Sequence, residues 1–336
     1  MPCQIETNLE HNGLHIARFE NELVSVDVLP QLGAKIYSFV HKASGVNLLW
    51  HNPRLAPAPV HYGAKFDDNW SGGWDELVPN DNPCPFPNGD VLPDHGEVWS
   101  QATAWQIVKQ SEDAVAVRFV SYGRVLPTRF EKELSLRSGE SMLRVRYTYE
   151  NQGPKPVHFV WNVHPALAIS AATRLDVPAH DALVAEWMND QFEPLRRYQW
   201  PYAIDRAGEQ IDMRVVPPAS AAVADAHYFL NVREGWYAVT DTEKRVGFGL
   251  VFPTSVFPHV WLFRTAGGWR GLNTLILEAS NGCSSNLWKG VETGQCGVLA
   301  PGESVHADVF AVAYAGCTGV ERIHPDGRIV PRQNQS

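Results

Sequence analysis

An all-β fold with few short helices is what this 336-residue sequence predicts. Three observations carry the prediction. Short runs with a two-residue hydrophobic period recur along the chain, turn residues separate them, and segments with a helical period are scarce. Many strands with few helices imply a sandwich or barrel with long loops at one rim.

Val24, Val26 and Val28 alternate with Ser25 and Asp27 until Pro30 and Gly33 break the run. Ala34 to Val40 resumes as a strand, Lys42 to Gly45 is a turn, and Leu48-Leu49-Trp50 reads as a short apolar strand. Ala114 to Tyr122, Thr128 to Leu136 and Met142 to Glu150 are three consecutive runs of period two, with turns at Ser138-Gly139-Glu140 and Asn151 to Pro154. The same texture returns at Gly235 to Thr240, Val246 to Phe252, Val260 to Phe263, Thr274 to Ala279 and Val305 to Tyr314. Ala179 to Asn189 is the best helix candidate. Asn52 to Gly63 and Pro79 to Pro93 are rich in Pro, Asn, Asp and Gly and read as long ordered loops, a kind often tied to function. No linker, composition shift or internal repeat divides the chain. A single domain over 1–336 is expected, with its core at about 20–316, a tail from 317 and a frayed end at Gln333 to Ser336.

A hydrophobic content of 44% is enough for a sizeable core. The net charge of −9 and the lack of a Lys/Arg cluster argue against nucleic acid or an anionic membrane surface as partner. Twelve Trp suit core packing first, although some aromatic faces also line sugar pockets. The five cysteines are odd in number and widely spaced, which reads as reduced thiols and a cytoplasmic location. The start, Met1-Pro2-Cys3-Gln4-Ile5-Glu6, resembles no export signal, and no apolar window is long enough for a membrane span.

Four segments carry candidate chemistry. In Asn69 to Asn80, adjacent glycines Gly72 and Gly73 sit between Trp70 and Trp74, and Asp75-Glu76 follows. Glycines let backbone approach a ligand closely, but a surface turn with solvated acids would read the same. In Leu92 to Trp99, His95-Gly96 closes a long loop; a loop histidine bonded to backbone is the plain alternative. In Val157 to Pro165, read as one strand, His158, Val160, Asn162 and His164 share one face while Phe159, Trp161 and Val163 share the other. The second face suits the core. The first, polar but uncharged, suits either the wall of a cleft or a wetted sheet, and Pro165 should end the pairing just after His164. In Thr274 to Gly282, Glu278 ends an apolar strand. A buried acid there needs a cation partner or a raised pKa, and a structural ion pair would meet the requirement too. No metal signature, G-x-S-x-G or P-loop is present.

The order of these segments resembles the galactose mutarotase (aldose 1-epimerase) superfamily from about Val24 to Tyr314. "LPQLGAKIYSFVHKASGVNLLW" is similar to the family's first hairpin, "SGGWDELVPN" to its Gly-Gly turn, and "LPDHGEVWSQATAW" to its His-Gly motif. "YTYENQGPKPVHFVWNVHPALAIS" is similar to its His-Pro strand, and "ILEASNG" with "LAPGESVHADV" to its Glu strand and closing turn. The resemblance implies a β-supersandwich, no cofactor, no metal, and a free sugar as small-molecule partner of a monomer or homodimer. It implies His164 as general acid, Glu278 as general base and His95 near the ring oxygen. Asp225 would bind a sugar hydroxyl, with Trp70, Trp74, Asp75, Asn162 and Arg264 as further substrate contacts.

The implied reaction interconverts α and β anomers. One group takes the proton of the anomeric hydroxyl, another protonates the ring oxygen, the ring opens, and it closes on the other face. Burial raises a Glu from about 4.3, and a carboxylate neighbour raises a His from about 6.5, so both should approach working pH. Glu292 is a rival base, but it lies in a polar Gly-rich stretch. Relatives that take phosphorylated hexoses usually carry a basic residue before the Gly-Gly turn, where Asn69, Trp70 and Ser71 stand here. Relatives often follow His-Gly with Arg or Lys, and the catalytic Glu with Pro or Thr; here Glu97-Val98-Trp99 and Ala279 follow. These departures point to a non-phosphorylated sugar. They also leave open a non-catalytic carbohydrate-binding or sensing protein. An acidic or modified sugar would call on Lys65, Arg264 and Arg270.

Overall fold

Alternation along each strand builds two faces, and the protein uses both faces of its larger sheet. The computed structural model describes residues 2–333. The larger sheet runs in the order Gln4–His11, Leu14–Glu20, Val24–Leu29, Lys35–His41, Trp74–Leu77, Asn162–Leu167, Asn273–Ser280, His259–Ala266, Val223–Phe229, Asp181–Asn189, Arg197–Gln199. The second sheet has eight strands and packs against it, with the long strands Thr128–Arg137, Met142–Asn151 and Ser304–Ala315 near its middle. Val163, Leu275, Leu277, Ala279, Val260 and Leu262 point inward and meet Val145, Leu134, Tyr237, Leu250 and Val309 in one core cluster. The intervening residues Ala166, Ile276, Trp261 and Phe263 point outward into a second apolar cluster, under the loops. A sheet covered on both faces explains why its central strands read as near-continuous apolar runs.

Most of the expected strands form within a residue or two of their bounds. Ala179 to Asn189 does not become a helix. Asp181–Asn189 is a strand between Arg197–Gln199 and Val223–Phe229, where pairing on both edges outweighs local helical spacing. Leu48 to Trp50 forms no full strand but bridges its neighbours, with Leu49 opposite Leu167, the Leu48 N–H on Phe39 O and the Trp50 N–H on Ala166 O. The Val157 to Pro165 run breaks into Val157–Phe159 and Asn162–Leu167, because the Val160 N–H turns to Pro79 O and the Trp161 N–H to the Asn281 side chain. Pro165 does not end the pairing, which continues to Leu167 against Asn273–Ser280.

Ordered structure reaches beyond 20–316. Gln4–His11 forms the sheet edge, Val320 and Ile323 are buried, and Arg332 pairs with Asp176. The expected fraying at the C-terminus lies, from Asn334 on, outside the described residues. Among the described residues no helix is long and apolar enough to cross a membrane.

Candidate functional site

The outward face of the sheet centre forms the floor of a cleft. Strand register sets a row of side chains there: Asp75 stands opposite His164, Glu278 opposite Trp261, and Trp261 opposite Tyr228. Between the His164 and Glu278 strands, Asn162 pairs with Ser280 and Ala166 with Ile276, so His164 and Glu278 lie side by side on the same face. The cleft encloses about 770 Å³ including its open mouth.

Loops complete the walls. Phe66, Asp67 and Trp70 come from the short helix Phe66–Asn69 and its end; Asp81 and His95 come from the two ends of one long loop. The His95 backbone is left-handed (φ 60°), its N–H donates to Asp81 O at 2.6 Å, and Phe66 stacks on its ring at 4.2 Å. Gly96 holds φ 83°, and a Cβ there would lie 2.3 Å from Val78 O. Gly96→Ala is therefore expected to destabilise the fold by ~2 kcal/mol or more and to displace His95. Urea denaturation with the His95 proton resonances as reporter checks both effects. Gly72 and Gly73 serve the same packing purpose: added Cβ atoms would meet Trp50 O at 2.2 Å and Ile36 O at 2.8 Å. Their freedom brings backbone close to backbone rather than to a ligand.

Two residues that line the cleft each carry a buried polar atom without a hydrogen-bond partner, His164 Nδ1 and Glu278 Oε2. Burial lowers the pKa of His164 well below the usual value, and the His95 and Lys35 charges lower it further. The expected upward shift is thus reversed, because burial dominates and the charges that act on His164 are cations rather than a carboxylate. Burial raises Glu278 well above the carboxylate range, Asp81 adds to this, and His95 and Asn162 oppose it. Burial also opposes charge on His95, but Asp81 and the Asp94 hydrogen bond (2.9 Å) outweigh it and raise His95 to about 9. Burial lifts Asp81 to about 6 against the pull of His95. Burial thus favours the neutral forms of Glu278 and His164, while the flanking carboxylates favour the cationic form of His95.

No family model and no curated protein sequence matches the chain. Solved structures do. A candidate aldose 1-epimerase from Klebsiella pneumoniae superposes with a TM-score of 0.71 at 13% identity, covering 92% of this chain and 83% of its own. A galactose mutarotase-like protein from Clostridium acetobutylicum gives 0.67 at 12% identity, covering 94% and 99% respectively.

The chain has the galactose mutarotase-like fold.

A galactose mutarotase related enzyme from Lactobacillus acidophilus also matches, at a TM-score of 0.62 and 13% identity over 89% of this chain and 97% of its own. Within the mutarotase-like fold, the sequence candidates divide by sheet face. Trp70, His95, His164 and Glu278 line the cleft. Asn162 lies on the same face but is fully buried, accepting a hydrogen bond from Ser280. Asp75 shares that face too, sealed against Lys35 at 2.8 Å. Trp74 points inward and belongs to the core. Asp225 and Arg264, expected at the sugar, pair with each other at 2.8 Å on the face turned away from the cleft. Burial would raise the Asp225 carboxyl, but Arg264 and His227 hold it at about 2, as a permanent partner of the guanidinium. His158 lies beyond the strand break, beside Cys296.

Sequence reading missed Asp67, Asp81, Trp187, Trp261, Phe263 and Trp269, all of which line the cleft. Only Trp269 carried a local signal: it stands between Gly267-Gly268 and Gly271 at the tip of a hairpin. Among the described residues no group of three or more His, Cys, Asp or Glu could hold a metal ion.

Proposed function

We propose that the protein is an aldose 1-epimerase acting on a non-phosphorylated aldose through acid–base ring opening. The supporting observation is that His164 and Glu278, each carrying a buried polar atom without a partner, line one aromatic-walled cleft beside the cationic His95. Unsatisfied polar atoms in such a place are costly unless a polar ligand meets them, and sugar hydroxyls are suited to both. Burial favours the neutral form of both groups, so the pair shares one proton, held by Glu278. Moving it to His164 changes no net proton count and yields the imidazolium acid and carboxylate base that ring opening requires. Sugar hydroxyls entering the cleft replace part of the lost solvation and make that transfer less costly. Ring closure reverses the roles, so either face of the anomeric carbon can be reached. His95 stays charged and stabilises electron density gathering on the ring oxygen.

Optical rotation or anomeric proton NMR of freshly dissolved α-aldoses tests the reading. The expected result is equilibration faster than the spontaneous rate for at least one unphosphorylated aldose. If none of a broad panel is accelerated although sugars bind, the protein is a non-catalytic carbohydrate binder.

The pH dependence follows from the same groups. His95 sits above its ordinary value and loses its charge only as pH rises through about 9. Asp81 also sits above its ordinary value and is neutralised as pH falls through about 6. A kcat/KM profile level between these limits and falling on both sides is expected. His95→Gln should remove the alkaline limb and Asp81→Asn the acid limb.

A further inference from the structure

The cleft carries more negative charge than ring opening uses. Asp67 and Asp81 both line it, and Asp94 stands behind His95. Among the described residues lining it, His95 is the one cation, and Asp81 (3.7 Å) and Asp94 (2.9 Å) flank its two ring nitrogens. The Asp67 carboxylate has no ion pair or hydrogen bond among the described residues, although it is half-buried and its pKa is raised, first by burial.

The cations that an acidic sugar would need are elsewhere. Arg264 is locked to Asp225 on the other face of the sheet. Arg270 is committed to Asp68 at 2.9 Å and to Asp67 O at 2.7 Å, with its guanidinium over Trp269. Lys65 is exposed at the start of the short helix and does not line the cleft. A phosphate or carboxylate entering here would meet two carboxylates and one already neutralised imidazolium. A protonated amine would meet carboxylate acceptors in a cleft also lined by Trp187, Phe263 and Trp269.

We propose that the preferred ligands of this cleft are aldoses bearing a protonated amino group, with the Asp67 carboxylate receiving the ammonium. This rests on the reading of the cleft as an aldose site and names the class of aldose. It also assigns Asp67 as a specificity residue.

The test is calorimetric binding at low salt, slightly below neutral pH. Glucosamine, galactosamine, mannosamine and 6-amino-6-deoxyglucose are compared with their hydroxyl parents, alongside glucuronate and glucose 6-phosphate. At least one amino sugar should bind about tenfold more tightly than its parent, equivalent to about 1.4 kcal/mol, and both acidic sugars more weakly than glucose. Asp67→Asn, isosteric and at a partly exposed site, should bring the ratio of amino sugar to parent close to one. Asp68→Asn, outside the cleft, should leave the ratio unchanged. Amino sugars that bind no more tightly than their parents, or a preference that survives Asp67→Asn, would overturn the proposal. Anomer exchange is followed on the same panel. Asp67-dependent binding without accelerated exchange supports the proposal and defeats the epimerase reading. Accelerated exchange of parent sugars without amino preference does the reverse. Absence of binding by every sugar overturns both.

Discussion

Glu278→Gln is expected to lower kcat for anomer exchange by about 10²- to 10⁴-fold while changing KM only a few-fold. Glutamine keeps the shape and a hydrogen-bonding amide but can neither give up nor receive the proton that the reaction moves. The loss should be large because Glu278 is buried and has no ion-pair partner among the described residues, so no neighbouring group is placed to substitute for it. His164→Gln should cost a similar factor. The double variant should be little worse than the poorer single one, since a shared proton needs both partners and removing either disables the pair. Anomeric exchange NMR at saturating sugar measures kcat directly. Single variants with full activity would show that the proton moves through other groups, with Asp81 and His95 the next to test.

The second large effect concerns stability. Lys132 and Glu76 meet at 2.9 Å between the two sheets, 1% and 0% exposed. Tyr147 donates to the same carboxylate oxygen at 2.6 Å, and Lys132 also donates to Ala34 O at 3.3 Å. Removing one member leaves the other charged or newly protonated in an apolar core. Lys132→Met is therefore expected to cost ~3–5 kcal/mol, and Glu76→Leu a similar amount. The double variant should regain much of the loss, because two apolar side chains fill the space without a stranded charge. Urea midpoints of the four proteins close the cycle. A double variant as unstable as the sum of the singles would mean that the pair organises the core beyond its own charges. Activity should follow stability closely, since this pair lies on the face of the sheet opposite the cleft.

The two carboxylates of Asp75-Glu76 show how much of this was legible. Alternation places neighbours on opposite faces, so one acid had to point to each side of the sheet. Nothing local says which side is the core, or that Lys35 and Lys132 wait on the two sides to meet them. Asp225 shows the same limit. An acid on an apolar strand can serve a ligand or an ion pair, and the register that sets it opposite Arg264 decides for the pair.

What the sequence by itself determined is therefore local and periodic. The all-β character, most strand positions and the turn residues follow from a two-residue alternation that every short stretch of chain carries. So does the sharing of one strand face by Asn162 and His164, and of the other by Trp161 and Val163. What only the tertiary structure decided is which faces look into the same space and which charges end up near each other. Asp81 and His95 come from opposite ends of one loop, Trp269 comes from a distant hairpin, and Lys35 reaches the His164 environment from another strand. Each contact depends on strand order and loop closure across long separations. That is why the proton affinity of His164 moves down where a carboxylate partner was expected to move it up: Coulomb and burial effects act through space, and only the fold sets those distances.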